Sequence, residues 1–404
     1  MGEILRLTEF IESLRGKKIA VVGVGISNMP LLRLLIDNGL DVSARDKNVV
    51  EIPGLERSKF GEGYLDCSGE DVVFRSPGVK PWELTLKDGA VLTSEMEAFF
   101  DICPCPIIGV TGSDGKTTTA TLIAELLKAE GKTVRLGGNI GKPLLAEVQN
   151  IAPEDYAVAE LSSFQLITMK KSPRIAVLTN ITPNHLDWHR SFDEYASAKT
   201  NIFRFQKPGD RLVFDANSVS GLELKKVLSE HNRRHFATAI AALDGIVGAD
   251  AVRQVADNFS GVEHRLEFVR EFNGVRFYND SIASSPDRTI AGLEAFDKKV
   301  ILIAGGKDKG VPFDALGPVI SERVKALVLT GPTAEPIFNA VRDCGCAAPS
   351  VQVIDDFDEA VLTAAGLAKP GDIVLLSPAS TSFDRFKNFE ERGRHFKEIV
   401  KSKL

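Results

Sequence analysis

At 404 residues and 43.8 kDa the chain is too long for one ordinary core, and about 150 residues per domain gives two to three domains. Hydrophobic residues make up 44% and charged residues 26%, the balance of a soluble globular protein. The net charge of −6, with both signs mixed along the chain, excludes a general nucleic-acid or anionic-membrane surface, though not a local basic pocket.

Met1 to Arg15 mixes acidic and apolar residues as a surface helix does, not as a signal peptide does. Arg6 stands where a myristoylation signal needs Ser or Thr. No apolar stretch approaches the ~18 residues of a membrane span. The five cysteines include Cys103-Pro-Cys105 and Cys344-Gly-Cys346, whose spacers are too short for most zinc knuckles, so reduced thiols are expected. These features together predict a cytoplasmic protein that neither inserts into a membrane nor binds nucleic acid; they do not fix its oligomeric state, for which a monomer is the expectation.

A first block opens with the apolar run Lys17–Gly25, followed by a helical pattern over Met29–Asn38 and short strands at Asp41–Ala44 and Asp71–Phe74. Strand, glycine turn, helix, strand is how a parallel α/β unit reads. After Cys103–Pro106, read as a linker, a second start at Pro106–Val110 runs into a glycine loop and a helix over Thr117–Glu130. Further strands are expected at Tyr156–Leu161, Arg174–Asn180 and Arg211–Asp215, with two helices between His235 and Phe259. A third unit begins near Glu267, with strands at Val300–Ala304, Ala326–Thr330, Ser350–Ile354 and Asp372–Ser377. The expected domains are 1–102, 103–266 and 267–404.

Gly109-Val110-Thr111-Gly112-Ser113-Asp114-Gly115-Lys116-Thr117 lies between a strand and a helix. Glycines turn backbone N–H groups towards phosphate oxygens, and the helix N-terminus adds a favourable partial charge. Lys116 can reach β- and γ-phosphates and Thr117 can ligate Mg²⁺. The spacing departs from the common phosphate loop, because Val110 stands where the first glycine would be. Gly23-Val24-Gly25-Ile26-Ser27-Asn28 is an incomplete dinucleotide fingerprint, with Asn28 in place of the third glycine and Asp46 about where a ribose-binding acid falls. A redox cofactor, another nucleotide-like ligand and a structural turn all remain open for it.

Glu160 and His185 follow parallel-type strands, where ligands collect in α/β sheets, and each suits a metal ligand or charge organiser. Alone, each is as easily a solvated loop residue. Lys199 falls on one stripe with Phe192, Tyr195, Ile202 and Phe203. A lysine there either snorkels out or is buried; burial lowers its pKa and leaves a neutral amine able to form a carbamate with CO₂.

Thr111-Gly-Ser-Asp-Gly-Lys-Thr117, Gly137-Gly-Asn-Ile-Gly141, Glu160-Leu-Ser-Ser-Phe-Gln165, Asn180-Ile-Thr-Pro-Asn-His185 and Ala198-Lys199 occur in this order. Together they resemble the Mur ligases, ATP-dependent amino-acid ligases of peptidoglycan synthesis. The tail Leu376-Ser-Pro-Ala-Ser-Thr-Ser-Phe-Asp-Arg-Phe-Lys-Asn-Phe-Glu-Glu-Arg-Gly393 is similar to the branch that adds D-glutamate to UDP-MurNAc-L-Ala. The resemblance implies a three-domain α/β architecture: a Rossmann-like N-terminal domain, a central P-loop NTPase-like domain and a C-terminal Rossmann-like domain. It implies ATP bound by Gly112, Ser113, Asp114, Gly115, Lys116, Thr117 and Thr118, with Arg265 and Asp280 at the hinge. It implies two Mg²⁺ sites drawn from Thr117, Glu160, His185 and a carbamylated Lys199. The same likeness assigns UDP-MurNAc-L-Ala to Ile26, Ser27, Asn28, Asp46, Lys47, Ser76, Pro77, Gly78, Asn139 and His185. D-Glutamate falls to Ser284, Lys309, Ser382, Phe383 and Phe389.

Three departures accompany the likeness. Ile282 stands where many members have lysine, and Ser284 where threonine is common. Segment 217–231 is short, and only His231-Asn232 or His235-Phe236 approach the family's H-N-x-x-N. Another Mur-type or folate-polyglutamate ligase, a catalytically weakened nucleotide-binding relative and a nicotinamide enzyme are the alternatives.

Overall fold

The computed structural model describes residues 5–404 apart from 56, 183, 186, 187, 215–229, 260 and 309. It divides into two compact units, Met1–Phe259 and Ser260–Leu404.

The first unit holds two parallel sheets. After α1 (Leu5–Leu14), the fully buried β1 (Ile19–Val22) leads through a glycine turn into α2 (Met29–Asp37) and then β2 (Val42–Asp46) and β3 (Arg57–Phe60). A short pair, β4 (Asp66–Cys67) with β6 (Thr85–Leu86), flanks β5 (Val72–Arg75), and β7 (Val91–Thr93) completes the sheet order β3-β2-β1-β5-β7. The strand order reverses between β1 and β5, so their carboxyl ends open the crevice where α/β sheets take ligands.

α3 (Glu95–Ile102) starts at Ser94, whose side chain accepts from Glu97 N, and leads into the second sheet. That sheet begins with β8 (Ile107–Thr111), α4 (Lys116–Ala129) and β9 (Val134–Gly138), and continues with β10 (Tyr156–Glu160), α5 (Ser163–Leu166) and β11 (Ile175–Leu178). α6 (Phe192–Arg204), β12 (Arg211–Phe214), α7 (Glu230–Ala242) and α8 (Ala249–Asn258) follow, and the strands lie in the order β12-β11-β8-β10-β9. Successive residues of β8 face opposite sides, as a strand requires. Ile107 joins a core shared with the first sheet, while Ile108 and Val110 pack with α4 and α7.

That shared core corrects the reading of Cys103–Pro106 as a linker. Cys103 and Cys105 are buried in it, so apolar packing and not a loose tether joins the first two blocks. All five cysteines are free thiols. Strands β3, β7 and β9 went unread because they are sheet edges; the sequences RSKF and VRLGG carry no buried apolar run.

The second unit is one six-stranded sheet, built from β13 (Glu267–Phe272), β14 (Val275–Asn279), α9 (Pro286–Glu294), β15 (Val300–Gly305) and α10 (Leu316–Arg323). β16 (Val324–Thr330), α11 (Ala334–Asp343), β17 (Ser350–Val353), α12 (Phe357–Leu367), β18 (Ile373–Leu376) and α13 (Phe389–Ser402) complete it. Its order is β13-β14-β18-β15-β16-β17, parallel except for the antiparallel hairpin of β13 and β14, which the sequence reading missed. Among the described residues no helix is long and apolar enough to cross a membrane.

Candidate active site

The phosphate loop leaves β8 in the middle of its sheet. Gly112 has φ 153°, and a Cβ there would meet Thr179 Oγ1 at 1.9 Å. Gly115, at φ 74°, caps α4, and a Cβ would meet the His235 ring at the same 1.9 Å. Glycine is required at both for backbone conformation and for space. Neighbouring strands shape the loop: Asn180 Oδ1 accepts from Ser113 N (3.0 Å) and Asp114 N (2.9 Å). The Ser113 hydroxyl lies 2.8 Å from Tyr195 Oη and accepts from Thr182 N. Thr118 is buried at the start of α4.

Glu160, at the end of β10, is 1% exposed. Its Oε2 accepts from the Thr117 hydroxyl (2.8 Å) and its Oε1 from Asn139 Nδ2 (2.9 Å). The structure thus joins three residues that the sequence singled out separately. Lys116 Nζ donates to Gly112 O and Ser113 O, at 2.9 and 2.8 Å.

Lys199 does not snorkel. It is 2% exposed on α6, donates to Gly112 O at 2.7 Å, and sits 4.7 Å from the Tyr195 ring centre. Burial, with Lys116 adding, lowers its pKa to about 6. His185 has φ 54° and an exposed side chain; its ring lies 4.9 Å from that of Phe164 and 6.4 Å from that of Tyr195.

The predicted uridine residues gather at the carboxyl ends of β1, β2 and β5, in two roles. Asn28 is buried and braces the turn, its amide donating to Val22 O and Gly23 O. Asp46 accepts from Val24 N (2.7 Å) and Asn48 N (2.9 Å). Ile26, Lys47 and Gly78 are exposed, and Ser27, Ser76 and Pro77 half-buried, as ligand-facing groups can be.

In the second unit Asp280 is buried and has both oxygens engaged, by Leu266 N (3.2 Å) and the Ser377 hydroxyl (2.7 Å). Desolvation raises its pKa to about 7. Arg265 is half-buried and helps hold Asp280 ionised. Ser382 is buried, Phe383 is 62% exposed, and Phe389 O accepts from the Ser281 hydroxyl, three residues before Ser284. Lys309 lies outside the described residues, as do the side chains of His231 and Asn232. Sequence reasoning missed Arg392, buried and donating to Ser281 O, Ser281 Oγ and Ser380 O. It named His235 only as a partial match to H-N-x-x-N and missed it as the ring that closes over Gly115.

Residues 110–271 match the Mur ligase middle domain and 264–380 the Mur ligase, glutamate ligase domain. The chain is 48% identical to the UDP-N-acetylmuramoylalanine–D-glutamate ligase of Acetivibrio thermocellus, over 98% of this chain and 99% of that one. It is 43% identical to the enzyme of the same name from Ruminiclostridium cellulolyticum, over 98% of both. The first alignment runs over 461 positions, so the relative carries segments with no counterpart here. The fold is similar to MurF of Acinetobacter baumannii (TM-score 0.60, 15% identity, 98% of both chains). It is also similar to the UDP-N-acetylmuramate-alanine ligase of Thermotoga maritima (TM-score 0.58, 17% identity, 96% of this chain and 100% of that one).

Proposed function

This chain belongs to the UDP-N-acetylmuramoylalanine–D-glutamate ligases of the Mur family, and from that premise we propose how its residues carry the reaction. It is an ATP-dependent ligase of peptidoglycan precursor synthesis that joins D-glutamate to UDP-N-acetylmuramoyl-L-alanine. The observation that carries the assignment of roles is the convergence of Lys116, Thr117, Glu160 and Lys199 on the loop at the end of β8.

The alanine carboxylate attacks the γ-phosphorus of ATP, and ADP leaves. The amine of D-glutamate then attacks the carbonyl carbon of the acyl phosphate, loses a proton, and the tetrahedral adduct expels phosphate. Lys116 exchanges its two loop carbonyls for phosphate oxygens, and the N-terminus of α4 faces the same phosphates. A hydroxyl and a carboxylate 2.8 Å apart are hard oxygen donors, so Thr117 and Glu160 fit Mg²⁺. His185 and carbamylated Lys199 would hold the second ion. Bound Mg²⁺ supplies charge neutralisation on the phosphate oxygens. Asn139 keeps the Glu160 carboxylate turned to the loop.

Asn28 and Asp46 set the shape of the uridine pocket from below, while Ile26, Ser27, Lys47 and Ser76-Pro77-Gly78 face the nucleotide. Ser284, Lys309, Ser382, Phe383 and Phe389 receive D-glutamate. The enzyme works as a monomer in the cytoplasm, where ATP is supplied.

The test is ATP-dependent phosphate release with UDP-MurNAc-L-Ala, comparing D-Glu with L-Glu, D-Ala and diaminopimelate. Turnover with D-Glu alone is expected; equal rates with L-Glu would overturn the assignment.

A further inference from the structure

Arg75, the last residue of β5, is 1% exposed, yet it forms no ion pair among the described residues. One terminal nitrogen donates to Val79 O (2.6 Å), Ser76 O (3.1 Å) and Pro77 O (3.3 Å), curling the turn over which uridine diphosphate is expected to lie. The other crosses to the second sheet and donates to Phe164 O (2.6 Å) and Thr168 Oγ1 (3.3 Å), just beyond Glu160-Leu-Ser-Ser163. Glu97 of α3, also buried, grips the far end of the same segment: its Oε1 accepts from Lys170 N at 2.8 Å. Residues 164–170 are thus held between a buried cation at the end of β5 and a buried anion on α3. Glu97 is the charge that favours protonated Arg75.

Packing alone does not call for this arrangement, since apolar side chains of similar size fill such a space at less cost. What a guanidinium adds is a rigid fork whose two nitrogens reach acceptors on two sides at once. Here the two sides are the uridine turn and the segment that follows the metal-binding carboxylate.

We propose that Arg75, with Glu97, is a positioning clasp that fixes the span between the Ser76–Val79 turn and the Glu160–Phe164 segment, so that the acceptor carboxylate at the far end of the UDP substrate arrives at the phosphoryl-transfer centre. The proposal rests on the ligase assignment above. It predicts that UDP alone, which touches only the near side, is indifferent to the clasp. The full substrate, which bridges both sides, is not.

The experiment compares the wild type with Arg75→Lys, whose single ammonium reaches one side at a time. UDP and UDP-MurNAc-L-Ala binding are measured at equilibrium, with KM, kcat and ADP affinity alongside. In Arg75→Lys, the affinity for UDP-MurNAc-L-Ala and kcat should each fall roughly tenfold, as a sub-ångström to 1 Å misplacement produces. Affinities for UDP and ADP should stay within about threefold of wild type, a split that general loosening of the fold would not give. Unchanged constants, or parallel loss of UDP and UDP-MurNAc-L-Ala binding, would overturn the clasp. If Arg75→Lys melts below the assay temperature, Thr168→Val carries the test by removing only the far hydroxyl, with the same split at about threefold expected and its absence overturning the proposal. Wild-type turnover tests the ligase assignment separately, and the binding ratio is read without turnover.

Discussion

Lys116 and Lys199 donate to the same oxygen, the carbonyl of Gly112, at 2.9 and 2.7 Å. Two ammonium groups on one acceptor repel, and one of them is buried. Desolvation therefore lowers the Lys199 pKa to about 6, with Lys116 deepening the shift. Near pH 7 Lys199 then presents a neutral amine, the form that the proposed addition of CO₂ needs.

If the carbamate is the working form, Lys199→Ala should remove most activity and Lys199→Arg should not restore it, since a guanidinium stays cationic. Steady-state rates with and without added bicarbonate give the answer. An Arg variant near wild type would mean that positive charge alone suffices.

The same burial predicts a stability change of definite sign. Between pH 6 and 10.5 the unfolded chain binds a proton on Lys199 that the folded chain does not, so wild-type stability rises with pH across that window. Lys199→Met should lose that slope and, in CO₂-free buffer near pH 7, gain on the order of a few kcal/mol. Urea unfolding at several pH values measures it; identical slopes would mean that the lysine is solvated.

Thr117→Val should raise the Mg²⁺ concentration needed for half-maximal rate by about tenfold, losing one oxygen ligand. Glu160→Gln should cost more, because the carboxylate charge goes with it. A magnesium titration at saturating ATP distinguishes them; equal Mg²⁺ dependence in both variants and wild type would remove these residues from the metal site.

Asp280 gives the opposite sign of pH dependence. Its folded pKa is raised from 3.8 to about 7, so the folded chain holds a proton between those values that the unfolded chain releases. Stability therefore falls as pH rises through that window. Asp280→Asn should flatten the fall and melt no lower than wild type at pH 8. Because both carboxylate oxygens are engaged internally, KM for ATP should change less than about threefold. A tenfold rise would show that Asp280 meets the nucleotide directly.

The phosphate loop, the buried strands and most helices were legible because each leaves a local mark: glycines at fixed spacing, four or five apolar residues together, a 3.6-residue stripe. Lys199 was legible as a question, since only the structure shows whether a lysine on an apolar stripe escapes to solvent. Arg75 and Arg392 were not legible at all. Their meaning lies in carbonyl acceptors, Phe164 O for one and Ser380 O for the other, and a carbonyl carries no residue identity. Asn28 and Asp46 were singled out from an incomplete glycine fingerprint, but sequence could not show that their polar atoms are turned towards the backbone of their own loops.

The hairpin that starts the second unit waits a long time for its partner. β14 pairs with β18, and the bond from Ser377 to Asp280 spans 97 residues. The entry segment is also tied to the last helix, where Lys397 bridges Glu263 and Glu267 and Arg270 donates to Val400 O. Loop closure on that scale precedes any reward from contact. During synthesis β18 and α13 emerge well after the hairpin, so this unit cannot complete itself until both have left the ribosome. Loss of even the final two turns of α13 would leave Glu263, Glu267 and Arg270 without their anchors, and a premature stop there should yield a chain whose first unit folds and whose second is open to proteolysis.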